Sequence, residues 1–176
     1  MAAITNMNKS ILYNTILNRI EKEDSDLSSL TGKGIFYSPE LYIDFIIGKE
    51  IKRNEMSIFG QKTEWIRETD LGNGGPTDFA FKTDKRTYAF ELKLRDTSHS
   101  YSSDIEKLKK LDDKYVKIFV ALVDSWESKK ELDDRIFFLE NKYLNELNRI
   151  NEFKSFPTLQ DRYKGQVCCT LALWKL

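Results

Sequence analysis

The sequence predicts an α/β fold, a mixed sheet flanked by helices on both sides, and three observations carry that prediction. Residues 77–82 and 87–94 alternate apolar and polar side chains about a polar Thr83-Asp84-Lys85-Arg86 turn, as two hairpin strands do. The run VKIFVALVD at 116–124 is nearly continuously apolar, which suits a central strand covered on both faces. Segments with apolar residues at helical spacing precede, separate and follow these strands. The expected order is helix, helix, three strands, helix, strand, helix, strand. The elements at about 38–124 run α-β-β-β-α-β, with an extra helix before them and a helix and strand after them, in one domain covering 1–176.

Each element has its own signal. Ile11, Leu12, Ile16, Leu17 and Ile20 place an amphipathic packing helix over about 8–22, followed by a polar loop at 24–34. Ser38-Pro39-Glu40 reads as a helix start, with serine as N-cap, proline at the first helical position and an acid in the first turn. That helix runs to about Arg53 and is apolar enough to be largely buried, with Glu40, Asp44, Ile47 and Ile51 on one stripe. Residues 61–68 form the first strand, with Trp65 and Arg67 on one face and Glu64, Ile66 and Glu68 on the other. The glycine-rich stretch 70–76 has no Gly-Lys-Ser or Gly-Lys-Thr after it, so turn-making explains it better than a phosphate loop does.

Residues 95–102 read as a polar connection, and Ser103-Asp104-Ile105-Glu106 as a capping box. The helix it opens turns Ile105, Leu108 and Leu111 inward and Lys107, Lys110 and Lys114 outward. Those lysines form either a solvated face or a phosphate-contacting surface. Ser128-Lys129-Lys130-Glu131 is a second capping box, for a helix to about Ile150 with Leu132, Ile136, Leu139, Tyr143 and Leu147 inward; residues 166–174 close the sheet.

Composition narrows the function classes. Lys plus Arg total 28 and Asp plus Glu total 28, so no global basic field drives nonspecific nucleic-acid binding, although a local basic groove remains open. The start, Met1-Ala2-Ala3-Ile4-Thr5-Asn6, has neither a charged leader nor an apolar core, and no later segment could span a bilayer. A cytoplasmic protein without a membrane partner is expected. Cys168 and Cys169 are adjacent in a strand, which points them to opposite faces and disfavours a disulfide. His99 is the sole histidine, leaving little material for zinc sites or histidine-based nucleophilic catalysis.

The hairpin carries the chemistry. With two or four residues in the turn, Lys82 faces Thr87, Ala80 faces Ala89 and Asp78 faces Glu91; an odd-length turn would mix buried and exposed faces. Two carboxylates directly opposed are destabilising. A shared proton or salt bridges would relieve them, and so would a divalent cation such as Mg2+, which takes hard oxygen ligands. Lys93 lies one step along the same face, and Ala80 and Ala89 leave room beside the acids.

Gly75-Pro76-Thr77-Asp78, followed after a dozen residues by Glu91-Leu92-Lys93 between apolar neighbours, resembles the core of the PD-(D/E)XK nuclease superfamily, the restriction-endonuclease-like fold. Pro76 stands two residues before Asp78 instead of next to it. The resemblance implies a metal-dependent nuclease that hydrolyses phosphodiester bonds with Mg2+ or Mn2+, DNA being the expected partner. Asp78, Glu91 and the Leu92 carbonyl would hold the metal. Lys93 would orient water and offset charge, and Glu40 would complete a second metal or water site, with Asp44 and Glu64 as competitors for that position. Arg95, Lys107 and Lys110 are the expected phosphate contacts. A homodimer would suit double-strand cutting, although no self-complementary patch is legible. The alternative is a nuclease-fold binding or immunity-type module that does not cleave.

Overall fold

The computed structural model of the chain describes residues 7–130 and 133–176. Residues 1–6 and the Glu131 and Leu132 of the second expected capping box and helix lie outside the described residues.

Helix α1, Lys9–Thr31, begins where Asn8 Oδ1 accepts a hydrogen bond from Ile11 N at 3.1 Å and ends at Gly32 in the left-handed region. It therefore runs through the stretch expected to be a polar loop. The reason is Asp24, buried in spite of its charge, whose Oδ1 accepts from Ile35 N at 2.8 Å and Oδ2 from Leu159 N at 2.7 Å. A helical carboxylate here anchors two distant loops, which a local reading cannot see.

Helix α2, Glu40–Arg53, starts one residue later than its signal suggests. Pro39 is the cap, its carbonyl accepting from Tyr42 N, while Ser38 ends the 3₁₀ turn Ile35–Tyr37. Ile43, Ile46, Ile47 and Ile51 are buried, but Leu41, Tyr42 and Phe45 are exposed, so the helix is half-buried and not enclosed. A short α3, Glu55–Phe59, follows.

The strands β1 (Glu64–Asp70), β2 (Pro76–Lys82) and β3 (Thr87–Leu94) form an antiparallel meander. Helix α4, Ser98–Lys109, then carries the chain to β4, Tyr115–Trp126, which lies parallel to β3. Thr97 Oγ1 caps α4 by accepting from Ser100 N at 3.2 Å, so the expected connection at 95–102 is largely helical and Ser103 and Asp104 lie inside the helix; the capping box there does not form. Helix α5, Asp134–Lys142, is capped by Asp133 and stops well short of Ile150. The chain beyond it instead supplies β5 (Asn148–Arg149) and β6 (Lys154–Pro157), which pair along one side of β7 (Val167–Lys175) while β4 occupies the other. An open edge on that long apolar strand would otherwise be a pairing hazard.

The result is a seven-stranded mixed sheet in the order β1-β2-β3-β4-β7-β5, with β6 also on β7, and helices on both faces. Alternation along β4 builds both cores. Ile118, Val120 and Leu122 join Phe79, Phe81 and Phe90 under α1 and α2, while Phe119, Ala121 and Val123 pack with Tyr101, Ile105 and Leu108 of α4 and Leu139 of α5. Among the described residues no helix is long and apolar enough to cross a membrane. Both cysteines are free and buried.

Candidate active site

The site forms where the sheet forks. The β2–β3 ladder runs from Lys82↔Thr87 to Phe79↔Phe90, the even-loop register. Beyond that point β2 stays with β1 as far as Asp70↔Pro76, while β3 stays with β4 as far as Leu94↔Leu122. The next residues in register, Asp78 and Glu91, stand at the crotch. Leu92 N has lost its strand partner there, and Asp78 Oδ2 accepts its hydrogen at 2.7 Å. A strand residue sends its N–H and C=O toward the same neighbour, so the Leu92 carbonyl faces the same gap.

Two helices close on the fork from opposite sides of the sheet. From α2, Glu40 Oε2 accepts from Leu94 N at 2.8 Å and Oε1 lies 3.2 Å from Lys93 Nζ. From α4, Asp104 Oδ2 lies 3.2 Å from the same ammonium. Lys107, one helical turn on, places Nζ 2.7 Å from Glu91 Oε1 as an ion pair, off the line of a hydrogen bond, and donates to the Pro76 carbonyl. Asp44, one turn after Glu40, is buried with Oδ1 unpartnered.

Five carboxylates, Glu40, Asp44, Asp78, Glu91 and Asp104, thus surround two ammonium groups, and the charges are felt. Burial raises the Glu91 carboxyl to about 8, with the Asp78 charge adding and Lys107 opposing. Burial, then the charges of Asp78, Glu40 and Glu91, lifts Asp44 to about 9. Asp78 and Asp104 are also raised, chiefly by burial. Burial alone would lower Lys93, but Asp104 and Glu40 together hold it above the usual lysine range. Lys93 is therefore an ammonium at neutral pH, a charge and a donor and not a base.

Expected residues fall into three groups. Asp78, Glu91, Lys93 and Glu40 converge. Lys107, expected on an outward face, turns inward onto Glu91. Arg95 and Lys110 do not join them: Lys110 is exposed beside the glycine loop, where a Cβ on Gly74 would come within 3.8 Å of its Nζ. Period-two alternation carried on from Lys93 would put Arg95 on the same face, but it lies past the end of β3 with φ +43°, which breaks the alternation and sets its guanidinium 5.8 Å from the Tyr37 ring. Glu64 pairs across the β1–β2 edge with Lys82, away from the fork. Ala80 and Ala89 are both buried in the sheet. Asp104 went unrecognised because its apparent capping role hid it, although its three-residue spacing from Lys107 puts both on one helix face.

Among the described residues no three His, Cys, Asp or Glu side chains stand as a ready-made metal-holding group. The donor chemistry nevertheless fits a hard divalent cation: the oxygens are carboxyl and carbonyl, the carboxyl groups outnumber the ammonium groups, and among the described residues the cation paired with Glu91 is a lysine ammonium that can swing away. Comparison with protein-family models, curated proteins and solved structures finds no match to this chain.

Proposed function

We propose that this chain is a metal-dependent phosphodiesterase with a restriction-endonuclease-like core, a nuclease whose substrate is DNA. The observation that carries the reading is the placing of Asp78 and Glu91 at one forked register position with Lys93 next along the strand. Asp78, Glu91 and the Leu92 carbonyl would hold Mg2+ or Mn2+. When bound, the ion supplies polarisation of a phosphoryl oxygen and a lowered pKa for attacking water.

The chain's own groups do the rest. Lys93, locked between Glu40 and Asp104, presents fixed positive charge where negative charge grows on the phosphate, and a donor that orients water. Both Glu40 oxygens are engaged, with Leu94 N and Lys93, so Glu40 positions the lysine. Lys107 neutralises Glu91 until a cation replaces it.

Incubation of supercoiled, linear and single-stranded DNA, and of RNA, with the protein and Mg2+ or Mn2+ tests this directly. Cleavage is expected, and Asp78→Ala, Glu91→Ala and Lys93→Ala should each abolish it; purified folded protein that cuts none of the four overturns the reading. A non-cleaving binding module is the second reading, favoured by one observation, that Glu91 is 2% exposed and already ion-paired. Lys107→Met separates the two readings, because a nuclease site loses a competing cation and one donor to the Pro76 carbonyl and keeps metal-dependent cleavage, whereas a binding module cuts nothing with or without Lys107.

A further inference from the structure

Beside the fork lies a cleft of about 220 Å³ whose walls include Tyr37, Arg95, Trp126, Gln160 and Tyr163. Both of its nearer walls are continuations of the site. Tyr37 precedes Glu40 by three residues, and Arg95 follows Lys93 by two, so a strand engaged at the fork would pass this cleft. We infer that the cleft takes an unpaired nucleobase of the substrate strand, next to the phosphate held at the fork. The inference rests on the nuclease reading and narrows its substrate to strands with an unstacked base, such as single strands, overhangs or flaps.

Four features point to that occupant. The lining is aromatic and open to solvent: Tyr37, Trp126 and Tyr163 are 45%, 49% and 40% exposed. Trp126 and Tyr163 meet edge to face at 5.4 Å and 86°, a contact that engages one face of one ring at most, and half-exposed Trp126 keeps surface on which a base can stack. The rim is cationic, with Arg95 5.8 Å and Lys33 5.9 Å from the Tyr37 ring and Arg162 4.9 Å from that of Tyr163. The one acid in the lining, Asp124, is neutralised by Arg135 at 2.7 Å. Aromatic platforms edged by arginine and lysine are what sequence-tolerant single-strand binding needs, since every base has a π face and every nucleotide an anion.

Backbone strain agrees with the assignment. Among the described residues three non-glycine positions have positive φ, and two of them, Arg95 at +43° and Tyr163 at +66°, line this cleft. Left-handed conformations at such residues cost energy and persist where the surroundings hold a side chain in a required direction. The lining also contains hydrogen-bonding groups. Gln160 is buried and donates to Thr158 Oγ1 at 3.2 Å, an amide with capacity remaining for a base edge.

The test uses fluorescein-labelled DNA of one length in three forms, single-stranded, single-stranded with one abasic position, and blunt duplex, together with the matching RNA strand. Binding is read by anisotropy and by quenching of tryptophan emission, without added metal so that no strand is cut. The unmodified protein should bind the intact single strand with quenching. Trp126→Ala should bind it about tenfold more weakly, the scale expected for loss of one stacked base, and without the quench. Moving the abasic position along the strand should find one place where affinity for the unmodified protein drops to the variant's level, while duplex binding is the same for both proteins. Equal affinity of Trp126→Ala for the intact strand, or indifference to an abasic position everywhere along the strand, overturns the inference without any question of folding in the second case. Preference for RNA over DNA would keep the base site and reassign its source. Base-dependent binding with no cleavage in Mg2+ or Mn2+ would sink the nuclease reading and keep the site; cleavage of single strands with unchanged kcat/KM in Trp126→Ala would do the reverse.

Discussion

Asp44 shows how one buried carboxyl sets the behaviour of its surroundings. Its pKa, raised from 3.8 to about 9 by burial first and then by Asp78, Glu40 and Glu91, means that the folded chain holds a proton the unfolded chain has lost. The native state then binds more protons between those values, so this contribution to stability is fully present below about pH 4 and declines as pH rises toward 9. Asp44→Asn should flatten that decline in metal-free thermal melts taken from pH 5 to 9; an unchanged slope would show that Asp44 is not its source. Asp78 separates two effects that act on a single atom. Asp78→Asn keeps an acceptor for Leu92 N while removing a charge near Glu91, Asp104 and Glu40, and should raise the metal-free Tm. Asp78→Ala leaves that N–H unpartnered, at about 1–3 kcal/mol, which offsets the relief. Both variants should lose the Tm increase that Mg2+ gives by mass action. A metal-free Tm for Asp78→Asn below the unmodified protein's would mean that the carboxylate is structural.

At the scale of elements, the contact of α2 with β1 depends on Gly48. A Cβ there would lie 2.6 Å from Trp65 Cζ2, and Trp65 stacks on Phe81 at 6.2 Å and on Phe45 at 5.9 Å. Alanine ordinarily gains about 1 kcal/mol over glycine inside a helix. Here the gain is outweighed by displacement of the indole, an overpacking cost of about 1–3 kcal/mol. Gly48→Ala should therefore destabilise the chain by about 1 kcal/mol in urea unfolding, with a changed near-ultraviolet signal from Trp65. Stabilisation would show that the indole moves at no cost. The same contact explains why α2 is only half-buried: its isoleucines cover the sheet, and Phe45 at the boundary meets Trp65 and the Arg67 guanidinium 4.9 Å away.

For the whole molecule, 28 basic residues balance 28 acidic ones, so the nucleic-acid affinity that the proposed function requires would have to come from a few local cations. Arg95, Lys33, Arg162 and Lys110 are exposed around the fork and its cleft. Four phosphate contacts on a single strand correspond to a slope of roughly −3 in log K against log salt. Titration of single-stranded DNA between low and moderate salt should find that slope or a shallower one. A much steeper slope would require a basic surface elsewhere on the chain.

Sequence alone determined the strand hairpin and its register as far as Phe79↔Phe90, because side-chain alternation and an even turn admit no other buried face; Asp78 and Glu91 stand one position beyond, where the ladder has ended. It also determined the central strand, whose nearly continuous apolar run demands cover on both sides. The continuation of α1 through Asp24, the early start of α4 at Thr97, and β5 and β6 in place of a long last helix were decided by partners far along the chain. So was the remainder of the site. Asp104 and Lys107 reach the fork from one side of the sheet and Glu40 and Asp44 from the other, a convergence that depends on where helices pack and not on any local spacing. Short-range pattern fixes which way a side chain points from its own backbone; only the packed sheet fixes what it meets there.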